Sequence, residues 1–177
     1  MNKTYLDDNV YIIPNFLSEE ELLALDAIIY DDEPWELSEV SKTSHTSNLK
    51  DTVWKTNIKM IKDKSLLKVI NDKIKLLYPD LLITEVRALQ RLFPGQILEA
   101  HFDKSRYSPY VERGFICYIN DNYDGGQLYY PYKGFEYKPV RGSFASHPAT
   151  EEYTHGVKPS SDNIRYILTS FGIAKKI

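Results

Sequence analysis

Residues 81–103 read LLITEVRALQRLFPGQILEAHFD, and the architecture of the whole chain turns on them. Leu81 to Phe93 is rich in β-formers and runs into Pro94-Gly95, a turn signal. Ile97 to Phe102 reads as the next strand and delivers His101 and Asp103 at its end. In an extended strand residues i and i+2 point to one face, so an imidazole nitrogen and a carboxylate oxygen can converge there without distorting the backbone. Alone, this His-Phe-Asp pair is a weak signal, because a surface strand end explains it as well as a site does.

Downstream the same texture continues. Lys104 to Arg113 is a polar, Tyr-containing loop, and Phe115 to Asn120 an apolar strand. Asp124-Gly125-Gly126 makes a tight turn into Leu128 to Tyr130. Phe135 to Lys138 and Ser143 to Ala145 flank a turn at Pro139 to Gly142, and His155 to Val157 and Ile164 to Phe171 complete the set. Many short strands between turn signals predict a closed or double-sheet β architecture.

Upstream the pattern is different. Val10 to Phe16 reads as a short strand broken by Pro14. Ser18 and Glu21 have the spacing of a capping box, ahead of Leu22, Leu23, Leu25, Ile28 and Ile29, so a helix is expected from about Ser18 to Tyr30. From Asp31 to Asn57 no period survives, and a long loop is expected. A second helix fits Lys64 to Tyr78, stopped by Pro79. The expected layout is a single α+β domain over residues 1–177, with residues 1–79 as helical support and loop and residues 80–177 as the β core.

The composition narrows the function. At 177 residues the chain suits one sizeable core. A net charge of −3 without a Lys/Arg block lacks the footprint of a duplex nucleic-acid binder, although local contacts to a flipped base or an acidic peptide stay open. Cys117 is the lone cysteine, so no internal disulfide can form, and its apolar neighbours read it as a small buried hydrophobe. With no apolar run of signal-peptide or membrane-span length, a cytoplasmic protein is expected.

The His101–Asp103 pair gains weight from its context. A second histidine from a distant strand would complete the 2-His-1-carboxylate face of non-haem iron(II) oxygenases, leaving open positions for a co-substrate and dioxygen. His155 begins such a segment, His155-Gly156-Val157-Lys158-Pro159, and Arg165-Tyr166 follows ten residues after it. An always-charged, forked guanidinium is suited to the far carboxylate of 2-oxoglutarate, whereas an isolated arginine defaults to a surface ion pair.

Taken in order, these pieces resemble the prolyl 4-hydroxylase branch of the iron(II)/2-oxoglutarate dioxygenases, from about Val10 to Phe171. The matching stretches are Asn15-Phe16-Leu17-Ser18-Glu19-Glu20, Pro94-Gly95 ahead of His101-Phe102-Asp103, and Tyr118-Ile119-Asn120-Asp121. Gly125-Gly126-Gln127-Leu128, Gly142-Ser143-Phe144 and Arg165-Tyr166-Ile167-Leu168-Thr169-Ser170-Phe171 follow. The resemblance implies a double-stranded β-helix core (jelly-roll, cupin-like) with supporting N-terminal helices. It implies Fe(II), 2-oxoglutarate and dioxygen as cofactor and co-substrates, and His101, Asp103 and His155 as iron ligands. Arg165 matches the residue that binds the 2-oxoglutarate C5 carboxylate. Tyr118 is either a hydrogen-bond partner of that carboxylate or a core aromatic.

There are departures from the pattern. Many relatives carry a tyrosine just before the turn, where this chain has Arg91, Leu92 and Phe93. His147 competes for the distal ligand position but falls where the family has a strand end, which makes it a supporting or surface residue; His45 is expected to be solvated in the polar loop.

The analogy makes a prolyl residue in a protein or peptide the first candidate substrate, and a free amino acid or other small molecule the alternative. Nucleobase demethylation fits the acidic balance poorly. Trp35, Tyr107, Tyr110 and Arg113 are candidate substrate contacts, or equally packing aromatics and a solvated charge. Readings of another class are a binding β-barrel that has lost turnover, which would form no succinate, and a metal-dependent cupin-type isomerase or sugar-binding protein, which would have no need for Arg165.

Overall fold

Ser18 starts the first helix as its spacing predicts. Its hydroxyl accepts from the Glu21 amide at 3.2 Å, and the Glu21 carboxylate accepts from the Ser18 amide at 2.7 Å. Such a cap stabilises a helix by about 1 kcal/mol. Asp63 caps the second helix, accepting from the amides of Ser65 and Leu66.

The computed structural model describes residues 2–43, 51–104 and 108–175. In chain order the elements are β1 (Thr4–Tyr5), β2 (Tyr11–Ile13), α1 (Glu19–Tyr30), β3 (Glu36–Thr43), β4 (Asp51–Met60), α2 (Lys64–Leu77), β5 (Leu81–Thr84) and β6 (Ala88–Leu92). They continue as β7 (Leu98–His101), β8 (Val111–Tyr118), β9 (Leu128–Tyr130), β10 (Phe135–Tyr137), β11 (Phe144–Pro148), β12 (His155–Val157) and β13 (Arg165–Ala174). None of the described helices is long and apolar enough to cross a membrane.

Two antiparallel sheets result. The larger runs β1-β2-β11-β8-β13-β6-β4-β3, with β5 also paired to β13, and the smaller runs β10-β9-β12-β7. Strand alternation divides the larger sheet's side chains between two cores. Phe115, Cys117, Phe144 and Leu168 pack with Leu22, Leu25 and Ile29 of α1 and Leu66, Ile70 and Ile74 of α2. On the other side Ile116, Tyr118 and Ala145 pack with Leu128, Tyr130 and Val157 of the smaller sheet. This is the expected double-stranded β-helix with helices on one side, and Cys117 is the buried small hydrophobe its neighbours imply.

Three expectations need correction. Asp31 to Asn57 is not one long loop, because β3 pairs with β4 from Glu36↔Ile58 to Thr43↔Asp51 and β4 pairs with β6. β3 is an edge strand, and its described side chains, Glu36 to Ser38, are exposed or half-buried and offer no buried stripe for a periodicity argument to detect. Residues 1–79 are therefore more than helical support, since they contribute β1 to β4 to the larger sheet. The loop from Lys104 also ends earlier than expected, since Val111 already belongs to β8. His45 and Tyr107 lie outside the described residues.

Candidate active site

His101 ends β7 and His155 begins β12, and the two stand directly opposite each other in the smaller sheet. Their rings lie 4.5 Å apart. Each ring is fixed by its own backbone: His101 Nδ1 is 2.8 Å from the Glu99 carbonyl oxygen and His155 Nδ1 is 3.1 Å from that of Tyr153. A carbonyl only accepts, so each Nδ1 carries the proton and each Nε2 becomes the lone-pair nitrogen, the arrangement a metal requires. Asp103 reaches the same point, with Oδ1 3.7 Å from His101 Nε2 and Oδ2 4.0 Å from His155 Nε2. One ligand atom from each of the three residues falls within 4.8 Å of the others.

The electrostatics suit a cation. Burial holds the His155 pKa well below the usual histidine value, and the neighbouring rings of His147 and His101 push the same way against the pull of Asp103. His155 is therefore neutral at neutral pH, with its lone pair available. Two imidazoles that each turn Nε2 toward a carboxylate on one face are a donor set that fits Fe(II).

These three residues line a cavity of about 660 Å³ with Leu98, Ile116, Leu128, Val157 and Ile167 as apolar wall and Arg165 as its cationic group. That size is ordinary for a small-molecule site. Arg165 is buried on β13, next to Leu92 of β6. Its Nε and Nη2 make no well-formed hydrogen bond, and neither do the buried hydroxyls of Tyr118 and Tyr123, whose nearest polar neighbour is the Arg165 guanidinium itself. Among the described residues, these account for four of the five buried side-chain nitrogens and oxygens left without a hydrogen bond. The Arg165 guanidinium lies 5.3 Å from the centre of the Tyr118 ring. Burial raises both phenol pKa values, and the Arg165 charge opposes the rise. Both tyrosines therefore stay protonated and can donate. A buried guanidinium left unpaired costs several kcal/mol, so the cluster is suited to an anion with several acceptor lone pairs. A carboxylate fits it.

Tyr123 escaped the sequence reading. It sits between Asn122 and Asp124 in a stretch that reads only as a turn. Its ring occupies the space where a side chain on Gly126 would stand, and Gly126 has a positive φ of 67°. A tyrosine beside a Gly-Gly turn was the available signal.

The substrate candidates separate. Trp35 packs on the helix-covered side, 5.8 Å from the Tyr166 ring and 4.4 Å from the Arg91 guanidinium, and does not line the cavity. Arg113 is not a solvated charge, because it donates to Ser146 Oγ at 2.9 Å and to the Asn9 carbonyl at 2.6 Å, beside Tyr11 and Tyr78. Tyr110 is exposed ahead of β8. In place of the tyrosine found before the turn in the resembled family, Gln90 and Leu92 face the cavity, with Gln90 donating to Thr169 Oγ1 at 2.6 Å. His147 is not at the surface: it is buried, and its Nε2 is 3.3 Å from Asp103 Oδ2.

Solved structures share this architecture. A viral collagen prolyl hydroxylase from Paramecium bursaria Chlorella virus-1, in complex with 2-oxoglutarate, superposes with a TM-score of 0.69 over 96% of this chain and 97% of its own, at 16% identity. A Trichoplax adhaerens prolyl hydroxylase bound to a peptide fragment of the hypoxia-inducible factor oxygen degradation domain gives 0.70, with 94% and 84% covered and 18% identity. A Pseudomonas putida prolyl-4-hydroxylase gives 0.65, with 95% and 94% covered and 19% identity. No protein-family model and no curated protein matches the sequence. The chain thus has the fold of the 2-oxoglutarate and iron(II) oxygenases, and in particular that of the prolyl hydroxylases.

Proposed function

We propose that this chain is an iron(II)- and 2-oxoglutarate-dependent dioxygenase that hydroxylates a prolyl residue in a protein or peptide. The observation that carries the reading is the unpaired cationic cluster of Arg165, Tyr118 and Tyr123, set in one fold with the His101, Asp103 and His155 face. A cupin-type isomerase has no need for a buried arginine of this kind, and a binding module that kept it would form no succinate.

His101, Asp103 and His155 hold the iron through two Nε2 atoms and one carboxylate. An iron held there would supply the dioxygen chemistry in which 2-oxoglutarate is converted to succinate and carbon dioxide, with one oxygen atom ending in succinate and the other in a C–H bond of the substrate. Arg165 receives the C5 carboxylate through its unpaired N–H groups, and the Tyr118 and Tyr123 hydroxyls donate beside it. Leu98, Ile116, Leu128, Val157 and Ile167 line the cavity as an apolar wall that would exclude water from the methylene part of the co-substrate. Arg165 thereby fixes the distance between the C5 end and the metal, which is the positioning the reaction requires.

A prolyl residue is the first substrate class to test because neighbouring structures are prolyl hydroxylases, one of them carrying a peptide. Tyr110, exposed near the segment that follows Asp103, is a candidate peptide contact. A cytoplasmic setting suits a lone buried cysteine.

The test is iron(II)-dependent conversion of 2-oxoglutarate to succinate, with and without Pro-containing peptides, beside a binding measurement for 2-oxoglutarate. Peptide-stimulated turnover with a mass gain of one oxygen on proline supports the proposal. Stimulation by a free amino acid instead moves the assignment to a small-molecule hydroxylase. Absence of both turnover and metal-dependent 2-oxoglutarate binding overturns the oxygenase reading.

A further inference from the structure

The fourth described element of the metal end is a side chain the donor set does not use. His147 lies on β11 directly across from Gly114 of β8, and it faces the cavity. Both of its ring nitrogens are engaged. Nδ1 is 3.0 Å from the Tyr130 hydroxyl, and Nε2 is 3.3 Å from Asp103 Oδ2.

The chemistry of the partners sets the direction of this chain. A carboxylate only accepts, so His147 Nε2 carries a proton and donates it to Asp103. In the neutral ring Nδ1 is then a lone pair, and it accepts from the Tyr130 hydroxyl. Tyr130 is buried, with its pKa raised chiefly by that burial, and so keeps the proton it donates. The sequence of bonds runs Tyr130 O–H to His147, then His147 N–H to Asp103.

The contact exists because residue 114 is glycine. A Cβ built there would lie 2.5 Å from His147 Nε2 and closer still to Asp103 Oδ2, so any other residue would occupy the space where the two meet. The need for such a support follows from position. His101 and His155 are in paired strands, and each has a backbone carbonyl fixing its ring. Asp103 lies beyond the end of β7, and His147 is one of the groups that meet its carboxylate.

We infer that His147 is a positioning residue for the metal site: admitted by Gly114 and oriented by Tyr130, it holds one oxygen of Asp103 so that the carboxylate faces the metal alongside the two histidines. This rests on the metal-binding reading above and adds to it a residue outside the donor set.

The experiment is titration of the metal-free full-length chain with Co(II), followed by the visible absorption of the bound ion, for the wild type and for His147→Phe, His147→Gln and Tyr130→Phe. The melting temperature of each metal-free variant is measured alongside. Losing a hydrogen bond to a ligand of this kind typically weakens metal affinity by about 10- to 100-fold, and that loss with an altered absorption band is expected for His147→Phe. His147→Gln restores an N–H donor at comparable reach and is expected to recover most of the affinity and the wild-type band. Tyr130→Phe is expected to fall between them. Wild-type affinity and spectrum in a folded His147→Phe would overturn the inference. Equal losses in the Gln and Phe variants would overturn it too, since the ring would then act as a ligand or as packing. If His147→Phe does not fold, His147→Gln against Gly114→Ala decides: the inference requires metal affinity to hold in the first and fall in the second. No Co(II) binding by the wild type would instead bring down the dioxygenase reading on which the inference stands.

Discussion

The two ends of the cavity are built on opposite terms. At the metal end the Nδ1 atoms of His101, His155 and His147 have partners before any ligand arrives, in the Glu99 and Tyr153 carbonyls and the Tyr130 hydroxyl. At the anion end Arg165, Tyr118 and Tyr123 hold buried polar atoms with no partner. The first end is preorganised and stable in itself; the second stores a cost that only a ligand relieves. Metal affinity is therefore a property of the folded chain, whereas co-substrate affinity draws on an electrostatic deficit in the protein.

The strongest way to break this comparison is to remove a donor from the finished end. His101→Ala is expected to abolish both Co(II) or Fe(II) binding and succinate formation, while the metal-free protein still folds, as read by calorimetry and a metal titration. Wild-type metal affinity in that variant would mean that the three-residue face is not the metal site. The next largest effect belongs to the unfinished end. Arg165→Met is expected to weaken 2-oxoglutarate binding by about 2–5 kcal/mol, measured on the metal-loaded protein, with metal affinity unchanged. The same variant is expected to melt no lower than wild type without ligand, since an unpaired buried charge has been replaced by an apolar group of similar length. A lower melting temperature would show that Arg165 is satisfied in the free protein, and the contrast between the two ends would collapse.

How legible each end was in the sequence follows from the same difference. His101 and Asp103 were readable because strand period two forces their side chains together, and Ser18 with Glu21 because a capping box is local. The pairing of His101 with His155 needed the resemblance, since 54 residues of chain separate two positions that only sheet topology makes opposite. Tyr123 was missed, and His147 was left between a supporting and a surface residue, because what faces them lies across the fold: Arg165 for one, and Gly114 and Asp103 for the other. β3 was missed for a different reason. It is held by main-chain pairing at a sheet edge, and its described side chains, Glu36 to Ser38, leave no apolar record of it.

Finer substitutions at the anion end sharpen the contrast. Tyr118→Phe and Tyr123→Phe each remove one unpartnered hydroxyl and leave the ring. Each is expected to cost about 0.5–1.5 kcal/mol of 2-oxoglutarate binding and to leave the stability of the ligand-free protein the same or slightly higher. If both hydroxyls donate to one carboxylate, the double variant should lose less than the sum of the two, because neighbouring donors to one acceptor are coupled. Strict additivity would place one of the two tyrosines outside the carboxylate site.

The smallest expected effect tests the metal end without any metal. The His155 pKa is depressed in the folded chain, so below the ordinary histidine value of 6.5 the unfolded state binds the proton more readily than the folded one. Stability of the metal-free protein is then fully present above about pH 6.5 and is lost progressively as pH falls below it. Melting temperatures measured downward from pH 7.5 should decline below that point, and His155→Gln should decline less steeply by up to one proton's worth of slope. An equal slope in the variant would mean that His155 is not the group that resists protonation. Because Co(II) competes with that proton for the same nitrogen, saturating Co(II) should leave the onset where the unfolded chain begins to protonate and carry the decline further down in pH in the wild type. The anion end has no titration of this kind to offer, since an arginine keeps its charge throughout the range, so a pH dependence that followed Arg165→Met rather than His155→Gln would invert the assignment of the two ends.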